Sequence, residues 1–234
     1  MSERTSATLT YAGCIKGARL CLPLMPGTIA FGAVFGTVTA QKGLTFLETL
    51  LINSFVFAGA SQFVAMEVYS APITWGVVLA MTGVVAAVNM RMLLIGASLR
   101  PWLGSVPGKQ TYPALFFLTD INWLLALREY DKGERDWGVF LGSGLFIWCV
   151  WSLAVMPGYF FGSLVSDPKA WGLDVVMPAF FIALLVPLWK GRRQTLSWTI
   201  AGGIAVLTWY EFGGYWGILT GAVSGALAGA FFDD

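Results

Sequence analysis

Apolar residues run through this chain in long stretches cut by short polar or proline-containing punctuation. The stretches are far longer than the four to eight residues of a buried strand. About 20 apolar residues in a helix cross the roughly 30 Å core of a bilayer. Only segments that satisfy their own backbone hydrogen bonds survive in lipid. The pattern predicts helical spans near 17–40, 46–69, 72–98, 111–128, 138–165, 172–190, 194–210 and 213–232. Only Tyr210-Glu211-Phe212 separates the last two, so seven spans is the alternative to eight. The expected fold class is all-α: a polytopic integral membrane helical bundle, one transmembrane domain over residues 1–234.

Composition agrees. Hydrophobic residues make up 57% of the 234, charged residues only 12%, about half the share of a soluble domain. Net charge is +1, with no long basic run, which argues against nucleic acid as a partner. Histidine is absent, removing the usual metal ligand and proton shuttle near neutral pH. Cys14, Cys21 and Cys149 show no CxxC pairing and read as apolar fillers. No metal site and no cofactor are expected. The apolar stretch after the polar first sixteen residues exceeds a signal-peptide core and reads as a retained first span.

Basic residues set the expected orientation. Arg4, Lys16, Arg19, Arg128, Lys132, Arg135, Lys190, Arg192 and Arg193 fall on one side, and Lys42, Arg100, Lys109 and Lys169 on the other. Nine against four places the N-terminus in the cytoplasm, with Arg128 to Asp136 as a solvated cytoplasmic loop.

Proline and glycine interrupt several spans. Pro23 and Pro26 lie in the first, Pro157 in the fifth, Pro178 and Pro187 in the sixth, where each is expected to kink or break its helix. Met25-Pro26-Gly27 with Phe31-Gly32 is echoed by Met156-Pro157-Gly158 with Phe161-Gly162. The echo suggests repeat halves of about 17–100 and 138–232 joined by span 111–128, in parallel or inverted sense. Interrupted helices at corresponding places are a pointer to a transport site, with amides freed after Pro26 and Pro157 able to meet a carboxylate. Gly213, Gly217, Gly221, Gly225 and Gly229 recur every four residues and form a smooth ridge for helix packing, inside the chain or against a partner.

Intramembrane polar groups are functional candidates by default. Asp120 is expected near the middle of span 111–128, as a proton-coupling group or a structural hydrogen-bonding residue. Arg91 either snorkels to the interface or binds a carboxylate, from a substrate or from Asp120. Asn53, Ser61 and Gln62 in the second span, Asn89 beside Arg91, and Asn122 beside Asp120 offer uncharged donors and acceptors, as substrate lining or as interhelical links. Glu48 and Glu67 fall near span ends, at the interface. Among eleven tryptophans, Trp102, Trp137, Trp171, Trp189 and Trp216 read as an interfacial belt; Trp148 and Trp151 lie deeper. No nucleotide-binding or hydrolase motif occurs, so no enzyme activity is expected, and active transport draws on an ion gradient or another subunit.

These segments resemble the AzlC family of bacterial branched-chain amino acid exporters. The carriers are Pro23 to Gly32, Phe57-Ala-Gly-Ala-Ser-Gln-Phe63, Asn89-x-Arg91 with Gly96-Ala97-Ser98-Leu99, Thr119-Asp120, and Pro178-Ala179-Phe180-Phe181 leading to Pro187. The resemblance implies an inner-membrane permease exporting valine, leucine and related apolar amino acids, working with a small AzlD-type membrane protein. The family pattern often has a second acidic residue after the aspartate; here Ile121 stands there. An apolar pocket discriminates by about 1–3 kcal/mol per methylene, so overlapping specificity for Val, Leu, Ile and Met is expected. A passive facilitator and a non-transporting structural subunit are the competing readings.

Overall fold

The computed structural model describes residues 8–162, 182, 186, 189, 191–213 and 216–232. The protein is all-helical, and among the described residues the only β-type pairing is one bridge between Thr8 and Asp136. The helices are α1 (Tyr11–Cys21), α2 (Met25–Gln41), α3 (Phe46–Phe55), α4 (Gly59–Val68), α5 (Trp75–Ser98), α6 (Arg100–Leu103), α7 (Gly108–Leu115), α8 (Asp120–Asp131), α9 (Gly138–Gly162), α10 (Arg192–Phe212) and α11 (Trp216–Phe232). Among the described residues, three helical stretches are long and apolar enough to cross a bilayer: Tyr11–Gln41, Trp75–Ser98 and Gly138–Gly162. The expected span 172–190, with Pro178, Pro187 and Trp171, lies largely outside the described residues.

The breaks fall elsewhere than the prolines suggest. Pro23 and Pro26 each sit in the first turn of a helical segment, one opening a 3-10 turn at Leu22–Leu24 and the other α2. The missing amide costs nothing there, and the chain runs on for 31 residues. Pro157 lies inside an unbroken α9. The second and fourth expected spans are the ones that divide. A capping box of Thr45 and Glu48 starts α3, which stops at Val56; α4 begins at Gly59. A second box, Thr119 with Asn122, starts α8, so 111–128 is not one span and Asp120 is a first-turn residue, not a mid-span one.

The described residues cluster into two compact units, one from Met1–Gln62 with Asn89–Leu164, the other from Phe63–Val88 with Val165–Asp234. In the first unit, Tyr11–Gln41 lies alongside α9, running parallel to it. Glycines from both strands of this seam bring the backbones together: a Cβ on Gly17 would run into Val139, on Gly142 into Cys14, on Gly36 into Val155, and on Gly158 into the Ala33 carbonyl. Thr37 Oγ1 donates to the Gly158 carbonyl at 3.0 Å, and Trp151 packs on Phe31 and Phe35 with ring centroids 5.6 and 6.1 Å away. Trp102 and Trp137, expected in an interfacial belt, are instead buried in one apolar cluster with Leu99, Val139 and Phe140. Trp189 and Trp216 are exposed.

In the second unit α10 and α11 form an antiparallel pair. Gly213 caps α10 at φ +65°, a conformation that favours glycine. The ridge glycines then face α10: added Cβ atoms on Gly217, Gly221 and Gly225 would sit 2.6 Å from the Ala205 carbonyl oxygen, 2.8 Å from Ala205 Cβ and 2.7 Å from Ala201 Cβ. This part of the ridge packs within the chain. Gly229 lies on the same helix, half-buried.

Candidate functional site

The loop of Val56–Ala58 between α3 and α4 gathers most of the polar residues singled out in the sequence. Asn53, Ser61 and Gln62 are buried there. Ser61 Oγ lies 2.9 Å from the Ala58 carbonyl and 3.2 Å from Asn89 Oδ1, two acceptors that share its single proton. Gln62 Nε2 reaches back to the Ile52 carbonyl at 3.1 Å. Asn53 Nδ2 donates to Ser152 Oγ at 3.3 Å, and Trp148 Nε1 to the Ser54 carbonyl at 3.2 Å. The Trp151 ring rests on Gly59, where an added Cβ would be 3.3 Å away. The first amides of α4 have no acceptor within the helix and carry its positive dipole end.

An open cleft of about 350 Å³ lies against this break, lined by Phe55, Val56, Phe57, Ala58, Asn89, Met92, Leu115, Phe116 and Leu118. Its lining side chains are apolar apart from Asn89. The charges lie close by in sequence: Arg91, between the lining residues Asn89 and Met92 on α5, and Asp120, which opens α8 two residues beyond Leu118, form an ion pair at 2.8 Å. Both side chains are about 40% exposed, and Arg91 Nε has no hydrogen-bond partner. Asp120 is therefore a charge-compensated residue rather than an isolated carboxylate. A larger open cleft of about 830 Å³, in the second unit, is lined by Glu67, Ser70, Trp209 and others. It lacks the buried polar groups of the α3–α4 break, so the candidate site is placed at the break.

The remaining sequence candidates lie apart from this cluster. Asn122 is consumed by structure: Oδ1 accepts from Thr119 N at 2.7 Å, and Nδ2 donates to the Phe117 carbonyl at 2.8 Å. Pro26 and Gly27 are exposed, with nothing within 4 Å of a Cβ added at Gly27. Pro157 and Gly158 belong to the α2–α9 region, with Gly158 in the seam itself. The amide-donating breaks expected at Pro26 and Pro157 are thus replaced by a proline-free break at 56–58. Sequence reading missed Thr49 and Ser152. Thr49, four residues before Asn53, shares its helix face and was legible as such.

The polar loop 128–136, expected to be merely solvated, is tied to the chain's start. Lys16 Nζ pairs with Glu129 at 2.8 Å and Glu134 at 2.7 Å, and Lys132 with Glu129 at 2.6 Å. Thr10 N donates to Asp136 at 3.1 Å, and Trp137 N to the Thr8 carbonyl at 2.9 Å. Lys132 and Lys16 beside Glu129, and Lys16 with the Asp136 amide beside Glu134, hold both carboxyls below the ordinary glutamate value.

The AzlC protein family matches residues 23–165. The chain is 29% identical to the inner membrane protein YgaZ of Escherichia coli (strain K12), over 91% of this chain and 88% of that protein. It is 27% identical to the branched-chain amino acid transport protein AzlC of Bacillus subtilis (strain 168), over 82% and 74% respectively. An uncharacterized membrane protein of Archaeoglobus fulgidus is 26% identical over 92% of this chain and 91% of its own length. No solved structure matches the chain.

Proposed function

The chain belongs to the AzlC family, and on that premise we propose that it is a secondary transporter exporting branched-chain and related apolar amino acids from the cytoplasm. The carrying observation is the α3–α4 break: a helix interruption with buried uncharged polar groups, opening on an apolar cleft. About 350 Å³ falls within the range of small-ligand sites. The apolar walls hold the aliphatic side chain of Val, Leu, Ile or Met. The α4 amides and Arg91 receive the substrate carboxylate, and Asp120 its ammonium. Arg91 and Asp120 hold each other in this structure; a zwitterion entering between them satisfies each charge in turn, so neither is left bare. The multi-pass protein sits in the inner membrane with its N-terminus cytoplasmic, alongside a small AzlD-type partner, and an ion gradient drives it.

Counterflow of labelled leucine in proteoliposomes, with the chain alone and with its partner, tests this. Exchange with leucine, valine, isoleucine and methionine is expected, and uphill flux under an imposed ion gradient separates active export from passive passage. A tight preference for a hydrophilic amino acid would contradict the apolar cleft as the substrate site.

A further inference from the structure

Three oxygen atoms on α3 and in the first turn of α4 make no hydrogen bond: Thr49 Oγ1, Asn53 Oδ1 and Gln62 Oε1. Their residues are sealed from solvent, at 0%, 0% and 1% exposure. Thr49 and Asn53, four apart on α3, share a face. Gln62 crosses the break to reach Ile52, the neighbour of Asn53, through Nε2. A carbonyl only accepts, so the amide nitrogen must face it and Oε1 is the open end. Asn53 makes its side-chain hydrogen bond through Nδ2, to Ser152 Oγ at 3.3 Å, which leaves Oδ1 as its open end in this structure. The last carbonyls of α3 at the same break carry the negative end of the helix dipole.

An unpaired buried acceptor is costly, and three in one neighbourhood call for a common partner. One water brings two donors and leaves an acceptor unpaired. The ligands are neutral hard oxygens, and the described residues hold no cluster of three His, Cys, Asp or Glu. Such a set suits a dehydrated singly charged ion rather than a divalent or transition metal. Trp151 Nε1, also unpartnered, is a donor and takes no part.

We propose that Thr49, Asn53 and Gln62 form a binding site for a monovalent alkali cation between the buried face of α3 and the first turn of α4. As the coupling ion of transport it rests on the proposed function; as a bound cation it does not. Binding between the two halves of the broken helix stabilises their arrangement around the cleft, which links cation occupancy to the shape of the substrate site.

The test is the unfolding midpoint of the detergent-purified chain, without amino acid, in sodium, potassium, choline and methylammonium chlorides at equal ionic strength. Sodium or potassium at a hundredfold over its dissociation constant raises the midpoint by about 5–10 °C over choline. Thr49→Val and Gln62→Met remove that difference while keeping the choline midpoint. Identical midpoints in all four salts overturn the site, and stabilisation by methylammonium alone overturns its assignment to a metal cation. Loss of leucine counterflow with the alkali effect intact would remove the transport reading and leave the cation site standing.

Discussion

Two polar regions of the first unit contrast in how their groups are satisfied. At the junction of the chain's start with residues 128–138, three carboxylates are well partnered: Glu129 holds two lysines, Glu134 holds Lys16 and two backbone amides, and Asp136 holds Thr10 and Gly138. At the α3–α4 break the groups are uncharged and more deeply buried, yet Thr49, Asn53 and Gln62 each keep an atom unpaired. A buried unpaired polar group costs about 1–3 kcal/mol. Folding alone favours the first arrangement. The second persists in a chain whose relatives include a named transport protein, and it lies beside a cleft. On the proposed function, the difference separates polar groups that hold the fold from polar groups kept for a ligand.

Substitutions sharpen that contrast, beginning with the seam that supports both regions. Gly158→Leu forces a side chain into the Ala33 backbone, where nothing can yield, and overpacking costs about 3 kcal/mol or more. Loss of the monodisperse peak in size-exclusion chromatography is the expected result. Arg91→Leu and Asp120→Leu are expected to lower leucine counterflow more than tenfold. The folded state should shift by less than about 1 kcal/mol, because both partners are about 40% exposed.

Lys16→Met reverses the pattern: stability falls by about 1 kcal/mol while counterflow per folded molecule is kept. The same junction sets an acid limit. Glu129 and Glu134 lie below their ordinary value of 4.5 when folded. Their contribution is therefore fully present above about pH 4.5 and lost as pH falls through the lower folded values. Unfolding midpoints measured against pH should decline on that acid side, and less steeply in Lys16→Met. The smallest effect belongs to Gly27→Ala, which meets open space in a helix; stability rises by at most about 1 kcal/mol, and counterflow is unchanged.

The sequence made the helical class legible, because apolar runs of bilayer length admit little else. It also marked Asn53, Ser61, Gln62, Asn89, Arg91 and Asp120, which the fold collects around one break or one ion pair. It misplaced the break itself. Proline is the strongest single-residue signal of interruption, yet Pro23 and Pro26 sit in first turns, where their missing amides are unneeded. The real interruptions lie at 56–58, just before Gly59, which packs on Trp151 far along the chain, and before α8, which the Thr119–Asn122 capping box starts. Trp102 and Trp137 were misread for a related reason: proximity to a span end predicts a belt position, but packing against Leu99 and Phe140 buries them.

The central claim is that the polar atoms left unpaired at the α3–α4 break serve transport, not folding. Gln62→Met tests it most directly, with unfolding midpoint and leucine counterflow measured on the same preparation in choline chloride and again in sodium chloride. The expected result is an unchanged or raised midpoint in choline and a counterflow reduced more than tenfold in sodium. A midpoint lowered by several degrees, with counterflow per folded molecule preserved, would show Gln62 to be structural and contradict it.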